Sequence, residues 1–145
     1  VIIHNDYRFD NVVLNPDNPL EVIGVLDWEM ATIGDPLMDL GNSLAYWVQA
    51  DDEPPFQMLR RQPTHRPGML TRQQVVDYYM ERSGFHADNF DFYEIYGLFR
   101  LAVIIQQIYY RYYHGQTRDK RFAIFGQAAN YLEQRCQRRI RESRL

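Results

Sequence analysis

Among its 145 residues the chain has one cysteine, one lysine and no apolar stretch near the ~18 residues that a membrane span needs. The lone Cys136 excludes an internal disulfide and agrees with a reducing, cytoplasmic setting, where it is expected as a packed side chain. With no signal peptide visible, the chain reads as soluble with no membrane span. A net charge of −3 and the lack of a basic face argue against a nucleic-acid partner. No glycine-rich run is present, and Lys120 lies in a polar turn late in the chain. What remains is enough apolar and aromatic material for one well-packed domain.

The chemistry-bearing residues come first. Apolar β-formers run up to His4, a polar loop follows, and Val12-Val13-Leu14 leaves it. Inside that loop four residues separate Asp6 from Asn11. This is the spacing of the kinase catalytic loop, where the Asp takes the proton of an acceptor hydroxyl and the Asn holds Mg²⁺. Sixteen residues past Asn11, Asp27 ends a second β-run, Glu21 to Leu26. Between the runs, Asn15-Pro16-Asp17-Asn18-Pro19 is rich in turn formers. Pairing the runs brings Asn11 and Asp27 to one end of a hairpin, where a cation fits between two oxygen ligands. Arg8 is a candidate phosphate contact, with an ion pair to Asp10 as the alternative. Glu29 is expected either to reach a metal-bound water or to pair with a loop arginine. His4 is expected to anchor the loop.

With Leu26-Asp27-Trp28-Glu29 and Ile33-Gly34-Asp35-Pro36-Leu37-Met38-Asp39-Leu40, these motifs resemble the aminoglycoside phosphotransferase-like kinases. They are most similar to the branch related to the kinase-like domain fused to some acyl-CoA dehydrogenases. The resemblance extends to Phe92-Tyr93 and Phe99-Arg100-Leu101-Ala102, and it departs at Asn5, where relatives usually carry glycine. It implies an α+β fold: a mostly helical C-terminal lobe of a protein-kinase-like fold, with a small β-hairpin carrying the loops. Residues 1–34 would carry the catalytic and metal-binding loops and 35–145 a helical subdomain, together one domain. It further implies Mg²⁺, ATP (or GTP) as donor, and a small-molecule hydroxyl as acceptor, aminoglycoside-like or hydroxyacyl-CoA-like. In such kinases the carboxylate at Asp39 braces the catalytic loop; a helix-dipole interaction is the plainer reading.

A complete kinase also needs a glycine-rich cover and a strand lysine. Neither precedes His4 here, so the chain is expected to be a C-terminal lobe that partners the missing N-terminal lobe of the same protein and transfers phosphate poorly alone. Two alternatives stay open: a non-catalytic nucleotide-binding module, or a metal-dependent hydrolase using His4, Asp6 and Asp27.

Further along, Asp35 and Pro36 open a helix through Leu37, Leu40, Leu44 and Trp47. Residues 51–67 form an irregular connection with an acidic cluster, Asp51-Asp52-Glu53, suited to a cationic substrate. Its arginines Arg60, Arg61 and Arg66 suit an anionic one, toward which the balance tilts. Thr71 and Gln74 read as a capping box for a helix stopped near Gly84. Asp91 and Glu94 open a long helix to Gly115, with Phe92, Ile95, Tyr96, Phe99, Ala102, Val103 and Gln106 on one stripe that Ile104, Ile105 and Ile108 widen. Tyr109, Tyr110, Tyr112 and Tyr113 suggest helix-end packing ahead of a binding site. A last helix from about Asp119 carries Phe122, Phe125, Ala129, Leu132, Cys136 and Ile140. Arg135, Arg138, Arg139, Arg141 and Arg144 make its end basic.

Overall fold

Turn-forming residues shape the start of the chain in the computed structural model, which describes residues 1–143. Strands β2 (Val12–Leu14) and β3 (Val22–Val25) pair antiparallel, with Val12 opposite Val25 and Val13 opposite Gly24. The Asn15 side chain accepts from the Asp17 amide at 3.0 Å, and the Asn15 amide donates to the Glu21 carbonyl at 2.9 Å, closing the turn. The Leu26 amide donates to the Asn11 carbonyl at 2.8 Å, extending the ladder one step. Asn11 and Asp27 therefore stand at the same end of the hairpin. A second antiparallel pair, not expected from the sequence, joins β1 (Ile2–Ile3) to β4 (Thr32–Ile33).

Five α-helices follow among the described residues: α1 (Pro36–Leu44), the one-turn α2 (Pro54–Gln57), α3 (Arg72–Ser83), α4 (Asp91–Tyr113) and α5 (Phe125–Glu142). The α+β class, mostly helical, is as the sequence implied. Local chemistry explains the ends. Asp35 caps α1 by accepting from the Leu37 amide, with Pro36 in the first helical position. Thr71 and Gln74 form the expected capping box, and Gly84 closes α3 at φ +75°. Two expectations change, and one is untested. Trp47 lies beyond α1, which stops at Leu44. The last helix is preceded by a 3₁₀ turn, Lys120–Ile124, capped by Asp119. Arg144 lies outside the described residues.

The core gathers Ala45, Val48, Phe56, Leu98, Leu101, Ile105, Ala129, Leu132 and Cys136 from α2, α4, α5 and the connection after α1. The stripe read along α4 is the buried face only in part: Ile105, read as widening it, is buried and Ala102 packs against the core. Gly97, Leu98, Leu101 and Ile105 face inward, while Phe99 is 59% exposed and Phe92 49%. Helix α4 is apolar over much of its circumference, so periodicity alone cannot pick the buried face. The helices α1 and α4 meet at two glycines: a Cβ on Gly41 would strike the Tyr93 carbonyl, and one on Gly97 the Gly41 carbonyl. Tyr109 packs its ring on Gly126, while Tyr110 and Tyr113 are exposed.

The acidic cluster does not wait for a cationic ligand. Asp52, its side chain 5% exposed, takes Arg72 at 2.6 Å and Arg135 at 3.0 Å. Glu53 takes Arg138 and the Tyr131 hydroxyl. Arg135, expected to serve the helix end, is instead buried beside Asp52 with its guanidinium over the Phe56 ring. Burial alone would raise the Asp52 carboxyl, but hydrogen bonds from Arg72, the Gln49 amide and Arg135 hold it below the usual carboxylate range.

Candidate active site

The loop from His4 to Asn11 is pinned from four directions. Asp39, on the first turn of α1, accepts the backbone amides of His4 at 2.7 Å and Asn5 at 2.8 Å. Arg100, on α4, donates to the Asn5 carbonyl at 2.7 Å. Gln62 accepts the Phe9 amide at 2.9 Å and donates to the Tyr46 carbonyl. The buried His4 ring bridges to the other loop: Nε2 donates to the Leu26 carbonyl at 2.8 Å, and Nδ1 accepts the Asp6 amide at 3.2 Å. Those two partners fix the tautomer and commit both ring nitrogens.

Asp6 sits at the centre of the held loop, its side chain 23% exposed. Asn11 Nδ2 donates to the Asp6 carbonyl at 2.7 Å and to Asp6 Oδ2 at 3.2 Å. The amide orientation that satisfies both leaves Asn11 Oδ1 as the atom free to bind a cation. Across the hairpin end, the exposed Asp27 opens a 3₁₀ turn, Trp28–Met30, without capping it. Its carboxylate makes no hydrogen bond or ion pair among the described residues, nor does that of Glu29, so the alternative of a Glu29–arginine pair is not formed. Asn5 (φ +65°) and Asp27 (φ +63°) are the non-glycine residues with positive φ among those described. Strain of this kind concentrates at functional sites. No group of three or more His, Cys, Asp or Glu able to hold a metal occurs among the described residues. A site here would thus combine an amide oxygen with a carboxylate, and the phosphates of a nucleotide would complete it. That donor set suits Mg²⁺.

Arg8 forms the ion pair with Asp10 that was its alternative reading, and a closer one with Asp6. Its Nη2 donates to Asp6 Oδ2 at 3.2 Å, and its Nε lies 3.1 Å from Asp6 Oδ1 and 3.5 Å from Asp10 Oδ1. The guanidinium rests over the Tyr46 ring, 4.9 Å from its centroid. The Nε–H is buried and meets Asp6 and Asp10 as an ion pair without a well-aligned hydrogen bond. Burial raises the Tyr46 hydroxyl above its ordinary pKa, keeping this platform neutral.

A cleft of about 390 Å³ opens beside the loop, bordered by His4, Tyr7, Arg8, Trp28, Trp47 and Tyr79 and otherwise chiefly aliphatic. Arg8 is the one arginine among the described residues that line it. Arg60, Arg61 and Arg66 are absent from its lining, so the tilt toward an anionic acceptor finds no support there.

Sequence reasoning missed three supports: Arg100, Gln62 and Asn42. Arg100 alone left a signal, a lone cation in the apolar middle of a helix, which must find a partner. Asn5 was expected only as a departure from glycine. Its side chain is instead fully used, donating to the Met30 carbonyl at 3.0 Å and accepting from Asn42 at 3.1 Å.

Comparisons with known proteins identify the family and the fold. A model described as "Phosphotransferase enzyme family" matches residues 1–73. Acyl-CoA dehydrogenase family member 10 of Mus musculus is 36% identical over 118 residues, 80% of this chain and 11% of the relative. Acyl-CoA dehydrogenase family member 11 of the same organism is 32% identical over 123 residues, again 80% of this chain and 15% of the relative. This chain thus spans less than a sixth of either. A crystal structure from Ralstonia eutropha, provisionally assigned as an aminoglycoside phosphotransferase, aligns with TM-score 0.80 and 25% identity, covering 99% of this chain and 43% of that one. No helix of the described residues is long and apolar enough to cross a membrane.

Proposed function

The chain belongs to the phosphotransferase enzyme family, and we propose that in its full-length protein it moves the γ-phosphate of ATP (or GTP) to a hydroxyl of a small molecule, in the cytoplasm. Asp6 is the general base. Asn11 Oδ1 and Asp27 hold Mg²⁺, which neutralises charge on the transferring phosphates. Arg8 steadies the phosphates through its guanidinium, and Asp39, His4 and Glu29 support the two loops, Glu29 by way of metal-bound water. Residues 1–34 supply this machinery and 35–145 its scaffold. One observation carries the reading: Asn11 spends its amide nitrogen on Asp6, so its oxygen is left at the hairpin end that also bears the unpaired Asp27.

The mainly apolar and aromatic cleft favours an acceptor with an apolar part, such as a hydroxylated acyl thioester, over a polycationic aminoglycoside. The names of the matched relatives favour it too. The hydrolase alternative loses its first ligand, because both His4 nitrogens are committed. Alone, the 145 residues should transfer phosphate poorly: their one lysine, Lys120, lies in the turn leading into α5. The N-terminal lobe of the same protein is the proposed partner. The exposed apolar β1–β4 pair, with Ile2 72% and Ile33 84% exposed, suits such a covering.

The test is phosphorylation of a panel of hydroxyacyl thioesters and aminoglycosides by the full-length protein with Mg²⁺ and ATP. Asp6→Ala should lower turnover at least ~100-fold while nucleotide binding persists. A variant with near wild-type turnover refutes the base. Nucleotide binding without phosphorylation of any acceptor would favour the non-catalytic module.

A further inference from the structure

Two consecutive residues ahead of Asp6 clasp the two ends of the turn that carries Asp27. His4 holds the near end through the Leu26 carbonyl, and Asn5 holds the far end through the Met30 carbonyl. Asn5 has no polar group left idle. Its amide goes to Asp39, its carbonyl to Arg100, its Oδ1 to Asn42 and its Nδ2 to Met30. Asn42, on α1, is 3% exposed, and its Oδ1 is buried without a partner. The orphan has a cause. Asn42 must donate to Asn5 so that Asn5 in turn can donate to Met30; flipping either amide sets like atoms against each other. A buried amide left half-satisfied is costly, and such groups persist where they serve a function.

We infer that Asn5 is a positioning residue that sets the separation between the loop of Asp6 and the turn of Asp27, and that Asn42 orients the Asn5 amide for this task. The inference rests on the phosphotransfer reading, in which Asp27 is a metal ligand. With its polar groups all bonded within the protein, Asn5 has none to offer as a ligand. It acts by fixing where the Asp27 carboxylate stands, as partners one step removed from a metal do. Its left-handed φ suits asparagine better than most side chains, and the two side-chain bonds offset the remaining strain.

The test uses the full-length protein and the variants Asn5→Gly and Asn5→Gly/Asn42→Leu. Glycine accepts the same φ, so the loop keeps its path while the clasp is lost. ATP affinity is measured as a function of Mg²⁺ beside thermal unfolding. For Asn5→Gly the half-saturating Mg²⁺ should rise about tenfold or more. The double variant removes the stranded Asn42 amide and should regain melting temperature while its Mg²⁺ dependence stays shifted. Wild-type Mg²⁺ dependence in Asn5→Gly overturns the inference and leaves the phosphotransfer reading intact. So does a shift that disappears together with the stability loss in the double variant. A wild-type protein whose ATP binding ignores Mg²⁺ defeats the phosphotransfer reading, and the inference with it.

Discussion

Replacing Asp39 by asparagine separates a loop brace from a helix-dipole partner. In the structure its two carboxylate oxygens receive the His4 and Asn5 amides at 2.7 and 2.8 Å. A hydrogen bond to a charged group contributes about 1.5–3 kcal/mol net, a neutral one about 1 kcal/mol. The substituted side chain would keep one oxygen, and so one neutral bond. Its NH₂ would face the other backbone N–H, leaving that donor stranded at a cost of about 1–3 kcal/mol. The expected loss is about 1.5–5 kcal/mol. If Asp39 only complemented the α1 dipole, the loss would be about 0.3–1 kcal/mol. The ranges do not overlap. Denaturant unfolding of wild type and Asp39→Asn, read by circular dichroism, distinguishes them provided the slope with denaturant is unchanged. A loss below about 1 kcal/mol would refute the brace.

Two further outcomes are expected. The Asp52 carboxyl titrates below its ordinary value, so its stabilisation is complete above the unfolded pKa of 3.8 and fades as pH falls from there through the lower folded value. Asp52→Asn should lose about 3–5 kcal/mol at neutral pH, because Arg72 and Arg135 are left without a counter-charge. It should also flatten the acid limb of stability, and an unchanged limb would show that the carboxylate does not govern it. Gly97→Ala should cost about 1–3 kcal/mol or more by overpacking against the Gly41 carbonyl, measurable by thermal unfolding. A neutral result would mean that the α1–α4 crossing is looser than described.

What the chain discloses in advance follows the range of each interaction. The Asp35 cap and the Thr71–Gln74 box involve residues at most three apart, so spacing alone reveals them. The approach of Asn11 to Asp27 was legible because turn formers link two β-runs. Arg135 was misread because its partner Asp52 lies 83 positions away, and a local pattern of charges at a helix end imitates a dipole arrangement. The same holds for Arg100, which reaches back 95 positions to Asn5. The buried face of α4 was hidden for another reason: hydrophobicity on all sides erases the contrast that periodicity needs.

The glycine contact between α1 and α4 has a reach well beyond its own packing. Asp39 is two residues before Gly41 and Arg100 three after Gly97, so both anchors of the Asn5 peptide are bolted to the same hinge-free joint. A methyl group inserted there would move the two grips apart. This close backbone contact therefore acts as the gauge block against which the reactive loop is set.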